Sequence, residues 1–150
     1  MASTLTKVLL HIAFSTKNRD PIIPTTIEPR LYAYIGGICR AMNSPLLAMN
    51  GVSDHVHMFV SLSKTIALSD LLLNVKRDSS KWVKENDATL HDFAWQDGYF
   101  AFSIGESQVE ALQAYIARQK EHHKTVDFKD EMRAFFRKYG IEWDERYVWT

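Results

Sequence analysis

The chain has 150 residues, 18 Lys and Arg against 18 Asp and Glu, and one cysteine, Cys39. That length suits one domain with one core, and a hydrophobic share of 46% with 24% charged residues excludes wholesale disorder. A lone cysteine excludes an internal disulfide scaffold, and a formal charge of zero gives no global electrostatic footprint for nucleic acid, though it leaves room for a local basic groove.

The first residues, Met1 to Lys7, lack the basic-then-apolar design of a signal peptide. No apolar run approaches bilayer length. The expected setting is therefore soluble, reducing and cytoplasmic, with no membrane partner. Lys7 to Phe14 reads as a strand, with Val8, Leu10, Ile12 and Phe14 on one face and Leu9, His11 and Ala13 on the other. Thr25-Thr26-Ile27-Glu28 matches a capping box, and the stripe Ile27, Leu31, Ile35, Ile38 predicts a helix to about Met42. Leu46 to Met49 predicts a short strand, Asn50-Gly51 a hairpin turn, and His55 to Leu62 the next strand. Leu68, Leu71, Leu72, Val75, Ser79 and Trp82 have helical spacing, and Tyr99 to Ile104 alternates as a strand. Ser107-Gln108-Val109-Glu110 reads as a second capping box, opening a helix through about His122. Phe128, Met132, Phe135, Phe136 and Tyr139 outline a last helix, capped by Gly140. The fold class is α+β: a ferredoxin-like β-α-β-β-α-β core with an antiparallel sheet, then two appended helices, in one domain over residues 1–150.

Two features carry chemistry. On a strand His55 and His57 point to the same side, while Val56, Met58, Val60 and Leu62 face the core. Two imidazoles so placed suit a metal chelate, and equally a packed or partner-covered face. The second feature is Tyr115 and Gln119, four residues apart on the predicted helix and so on one side of it. Taken alone, that pair also reads as a half-buried aromatic beside a solvated amide. Taken with the histidines, Gln119 offers a neutral oxygen to complete a His-His-Gln ligand set, and Tyr115 offers a hydroxyl to attack a phosphodiester. Such an attack exchanges one phosphoester for a phosphotyrosine and needs no nucleotide cofactor.

His55-Val56-His57 after Ser53-Asp54, with Tyr115-Ile116-Ala117-Arg118-Gln119-Lys120-Glu121-His122-His123 downstream, resembles the single-tyrosine HUH transposases of small insertion sequences, including relatives of the REP-associated tyrosine transposases. Phe14-Ser15-Thr16-Lys17-Asn18-Arg19, Phe93 to Tyr99, Ala101-Phe102-Ser103 and Asp144 to Trp149 extend the likeness over nearly the whole chain. The resemblance implies an enzyme that cuts and rejoins single-stranded DNA at insertion-sequence ends through a 5′-phosphotyrosine. It implies His55, His57 and Gln119 as metal ligands, Tyr115 as nucleophile, Mg²⁺ as the cellular metal with Mn²⁺ able to substitute, subterminal DNA hairpins as substrate, and a homodimer. The extra helices, and the apolar Phe59 on the histidine side of its strand, supply a sequence motive for that dimer.

Candidate phosphate contacts are Lys17 and Arg19, then Lys76, Arg77 and Lys81 on the second helix, and Arg118 and Lys120 beside Tyr115. Trp95, Tyr99 and Phe100 are candidates to stack bases. The alternative reading is a catalytically silent DNA-hairpin-binding protein of the same fold.

Overall fold

The computed structural model describes residues 2–150. The elements follow the predicted order: β1 (Leu9–Ser15), α1 (Glu28–Ala41), β2 (Leu46–Val52), β3 (His55–Ser61), α2 (Leu68–Asn86), β4 (Phe100–Ile104), α3 (Val109–Ala117), α4 (Gln119–His122) and α5 (Phe128–Lys138). The strands form one sheet in the order β2-β3-β1-β4, with every neighbouring pair antiparallel. This is the ferredoxin-like arrangement expected from the sequence.

Alternation along the strands gives the sheet two buried faces. Ile12, Phe14, Val56, Met58 and Val60 pack against Leu31, Ile35 and Cys39 of α1 and Leu71, Leu72 and Val75 of α2. On the other face Ala13 and Phe102 meet Phe128, Met132 and Phe136 of α5, while Leu9 and Phe59 meet Leu112 and Ile116 of α3. The appended helices thus pack on their own sheet. Phe59 is fully buried beneath its own chain, so it needs no second subunit to cover it.

Three local predictions are corrected. Asn50-Gly51 is not the hairpin turn: β2 runs through both residues to Val52, and Ser53-Asp54 makes the turn. Gly51 pairs with Val56, where a side chain would collide with the backbone carbonyl of His55. The Asn50 amide instead donates to the carbonyls of Ile116 (2.9 Å) and Ala117 (3.3 Å). Neither capping box forms as read. Ile27 occupies the N-cap of α1 without a side-chain bond, and it is Gln108 Oε1 that accepts from the Gly105 N–H (2.9 Å), ahead of α3. Finally, the helix carrying Tyr115 stops at Ala117. Arg118 (φ −98°, ψ 14°) breaks it, and the short α4 starts at Gln119. The Gly140 cap holds: its φ of 65° lets the chain turn so that Ile141 N–H reaches the Phe136 carbonyl (2.8 Å).

Candidate functional site

The site lies on the sheet face covered by α3 and α5, and β3 builds its floor. His55 and His57 point to that face, as expected, and both are fully buried. His55 Nδ1–H donates to Asp54 Oδ1 (2.6 Å), which leaves its Nε2 lone pair free to face the cluster. His57 uses Nδ1 toward His11 Nε2 (2.8 Å), and its Nε2 lies 3.0 Å from Glu131 Oε1. Each imidazole is therefore held by a neighbour on its far side, as metal-ligating histidines are.

α5 and the loop before it complete the cluster. His123 Nε2 lies 2.9 Å from His55 Nε2 and 3.0 Å from Glu131 Oε1. One ligand atom from each of His55, His57, His123 and Glu131 falls within 4.8 Å of all the others. The Tyr115 hydroxyl donates to Glu131 Oε2, and Gln119 Nε2 donates to the same oxygen at 3.2 Å. His122 Nε2 stands 3.5 Å from the Tyr115 oxygen. The α3–α4 break therefore still delivers Tyr115 and Gln119 to one place.

The electrostatics follow from a buried carboxylate among nitrogen donors. Burial alone raises the pKa of Glu131, but the charge of His57 and hydrogen bonds from His123, His57 and Tyr115 outweigh it and hold the group far below the usual carboxylate range. Burial, then the charge of Glu131, pushes the Tyr115 phenol well above its usual value. Burial lowers the pKa of His57, and lowers that of His11 to about 3, so His11 is neutral at pH 7. For His123, burial is overcome by the bond to Glu131 and its charge, and the net shift is upward.

The residues present fit a divalent cation. Three imidazole nitrogens and a carboxylate are a transition-metal donor set, and an anion here favours an inserted cation. Gln119 adds an orphan: its Oε1 is buried and has no hydrogen-bond partner.

A family model described as "Transposase IS200 like" matches residues 4–119 of the chain. The chain belongs to the IS200-like transposase family. Two known IS200 transposases, from Salmonella typhimurium and Salmonella typhi, are each 24% identical to it over 130 residues, or 83% of this chain and 84% of theirs. A putative transposase from Deinococcus radiodurans shares the fold with a TM-score of 0.66 at 18% identity, covering 79% of this chain and 95% of its own. A REP-associated tyrosine transposase, solved bound to a REP hairpin, superposes with a TM-score of 0.63 at 17% identity, covering 84% of this chain and 74% of its own. The protein is thus a transposase, a DNA-cleaving enzyme.

The matched span contains His55, His57, Tyr115 and Gln119 and ends before His123 and Glu131. Sequence reading gave no site role to His11, Asp54, His123 or Glu131 of this transposase, although Asp54 and His123 stand in the stretches that carry the family resemblance. The other two carried a signal of their own. Glu131 sits between Phe128, Met132 and Phe135 on the apolar stripe of α5, and His11 sits between Leu9 and Ala13 on the second face of β1.

The candidate phosphate contacts are dispersed. Lys76, Arg77 and Lys81 belong to α2, across the sheet from the histidines. The Lys76 ammonium bonds the carbonyls of Asp97 (2.9 Å) and Gly98 (2.7 Å), and burial lowers its pKa to about 8. Arg77 pairs with Asn74 (2.7 Å) and Asp78 (2.9 Å), and Lys81 lies 3.9 Å from Glu85. Arg19 reaches the Trp149 carbonyl (3.3 Å), whereas Lys17 and Arg118 are exposed, the latter at the helix break. Lys120 is committed to Glu28 (2.8 Å), Asn50 (3.1 Å) and the Gly51 carbonyl (3.1 Å). Trp95 is core rather than a stacking platform: it packs on Phe14 and Phe93 and donates to Ser79 Oγ (2.9 Å). Among the described residues no helix is long and apolar enough to cross a membrane.

Proposed function

We propose that this transposase cuts and rejoins single-stranded DNA at insertion-sequence ends through a 5′-phosphotyrosine on Tyr115. The observation that carries this reading is the meeting of the Tyr115 hydroxyl with His55, His57 and Gln119 around a single carboxylate, Glu131. His55 and His57 would hold a divalent cation, Mg²⁺ or Mn²⁺, with Gln119, His123 and Glu131 as the further donors; three imidazoles in reach favour Mn²⁺. Such a cation, when bound, neutralises Glu131, polarises the phosphodiester and favours the phenolate.

The chain's own groups supply the rest. The Tyr115 oxygen attacks phosphorus, forming the Tyr–O–P bond, and the P–O3′ bond breaks. The phenolic proton passes to one of the two acceptors at the hydroxyl, Glu131 Oε2 or His122 Nε2, and that group gives a proton back to the departing 3′-oxygen, so charge and atoms balance. The 3′-hydroxyl later attacks the phosphotyrosine to rejoin a strand. α3 fixes the ring, and Leu112 and Ile116 anchor α3 to the sheet. Its relatives, a transposase of the IS200 element and a REP-associated transposase bound to a REP hairpin, support DNA with hairpins as the partner.

Tyr115 sits in the site of its own chain, its ring centroid 5.9 Å from that of His57. We therefore infer that cleavage occurs in cis. The homodimer implied by the resemblance enters this reading as an assembly of two sites, each complete within one chain.

The test combines protein, Mn²⁺ and single-stranded DNA from the regions flanking its gene, labelled downstream of the cut. Label should migrate with denatured parental protein and be lost in Tyr115→Phe, His55→Ala and His57→Ala. Mixing Tyr115→Phe with His55→Ala should restore nothing. Restored adduct would overturn the cis reading, and hairpin binding without any adduct would instead establish the silent hairpin-binder.

A further inference from the structure

A cavity of about 550 Å³ opens between α3 and α5, beside the polar cluster. We propose that it is a subsite for one unpaired nucleobase adjoining the cleaved phosphate; this deepens the reading above and rests on it. Ala111 on α3 and Ala134 on α5, both exposed, present only methyl groups to it. Leu112 and Phe135 wall it, and its volume is that of an ordinary small-molecule pocket, roughly 300–1,000 Å³.

The occupant is argued from chemistry and from continuity. Tyr115 forms part of the wall, and its hydroxyl end belongs to the cluster of Glu131 and His122, so a strand delivering phosphate to Tyr115 passes this opening. A base has an apolar face and a polar edge. The cavity has apolar and aromatic walls. Gln108, whose Oε1 accepts from the Gly105 N–H, keeps its amide N–H groups for a base edge, and Asp130, whose Oδ1 accepts from Arg133 (2.8 Å), keeps its second carboxylate oxygen. Lys138, exposed and also lining the cavity, supplies the positive charge for the phosphate on that nucleotide.

The test uses the full chain, metal-free, with ¹³C-labelled alanine and isoleucine methyl groups, titrated with a deoxyadenosine hexamer and with an abasic hexamer of the same charge. The Ala111, Ala134 and Ile104 methyl resonances should shift with the first and stay in place with the second. Ala134→Phe, which fills the groove from an exposed position, should weaken hexamer binding roughly five- to hundredfold, the span that stacking one base is worth. No hexamer binding, binding that leaves these methyls unmoved, or equal shifts with both hexamers would overturn the proposal. So would shifts that follow protein concentration without DNA, which would assign the groove to a second copy. If Ala134→Phe binds the hexamer and forms the Tyr115 adduct as well as the parental protein, the subsite falls and the nucleophile stands. If the methyls respond as expected and no adduct ever forms, the nucleophile falls and the subsite stands.

Discussion

His11 stands behind the candidate ligands: its Nε2 is 2.8 Å from His57 Nδ1 and so fixes which His57 nitrogen faces the cluster. Its own Nδ1 is buried without a partner. Burial, then the charge of His57, hold it down to about 3 from an ordinary 6.5. Between those values the unfolded chain binds a proton that the folded chain does not. This group therefore leaves stability unchanged above pH 6.5 and erodes it as pH falls toward 3. His11→Phe removes that part of the slope. In chelator, the urea midpoint of the variant should drop less than that of the parental protein between about pH 7 and pH 4. Equal drops would show that His11 is not the neutral buried group described. The same variant should bind Mn²⁺ about 10–100-fold more weakly, because loss of an outer partner disorients a ligand. The imidazole pair at 55 and 57 was legible in the sequence because strand alternation is strict. The carboxylate at 131 was not, because only the fold shows that the apolar stripe of α5 is laid over β1 and β4, which brings Glu131 to the histidines of β3.

At the scale of elements, the junction between α3 and α4 determines whether Tyr115 and Gln119 meet. A continuous helix was the sequence expectation, and the i,i+4 spacing was right for the wrong reason. The break leaves helix-end carbonyls, and Asn50 from β2 takes those of Ile116 and Ala117. Lys120, just past the break, ties α4 to the buried Glu28 of α1. This explains why Asn50-Gly51 misled as a turn signal: both residues are specified by what approaches β2, its glycine by a close backbone contact and its asparagine by a helix end. Asn50→Ala should cost about 0.5–1.5 kcal/mol in urea unfolding, the usual net loss for a partly exposed hydrogen bond, and should slow adduct formation as Gln119 shifts. Unchanged stability and rate would mean that the break is held by other contacts.

The whole molecule is a sheet sheathed on both sides, and its layers carry different duties. α1 and α2 cover the face that builds the main core, whereas α3, α5 and the terminal Trp149 cover the face with the histidines. Composition and periodicity were enough to read the element order and the sheet, since each strand shows its two faces in alternation. Which layer covers which face depends on contacts distant in sequence, and only the fold places the basic residues of α2 on the sheet face away from the histidines. The layering predicts the effect of ending the chain at residue 119, where the family match stops. That protein would bare Ala13, Phe100 and Phe102, and it should bind a hydrophobic dye and lose cooperative unfolding; a cooperatively folded product would contradict the layered account. Everything proposed for the site turns on which atom attacks the phosphorus. Peptide mapping of the protein after reaction with single-stranded DNA and Mn²⁺ identifies that atom. One nucleotide-bearing peptide is expected, with the phosphate on Tyr115; the phosphate on any other residue, or cut DNA with no modified peptide, would overturn the assignment.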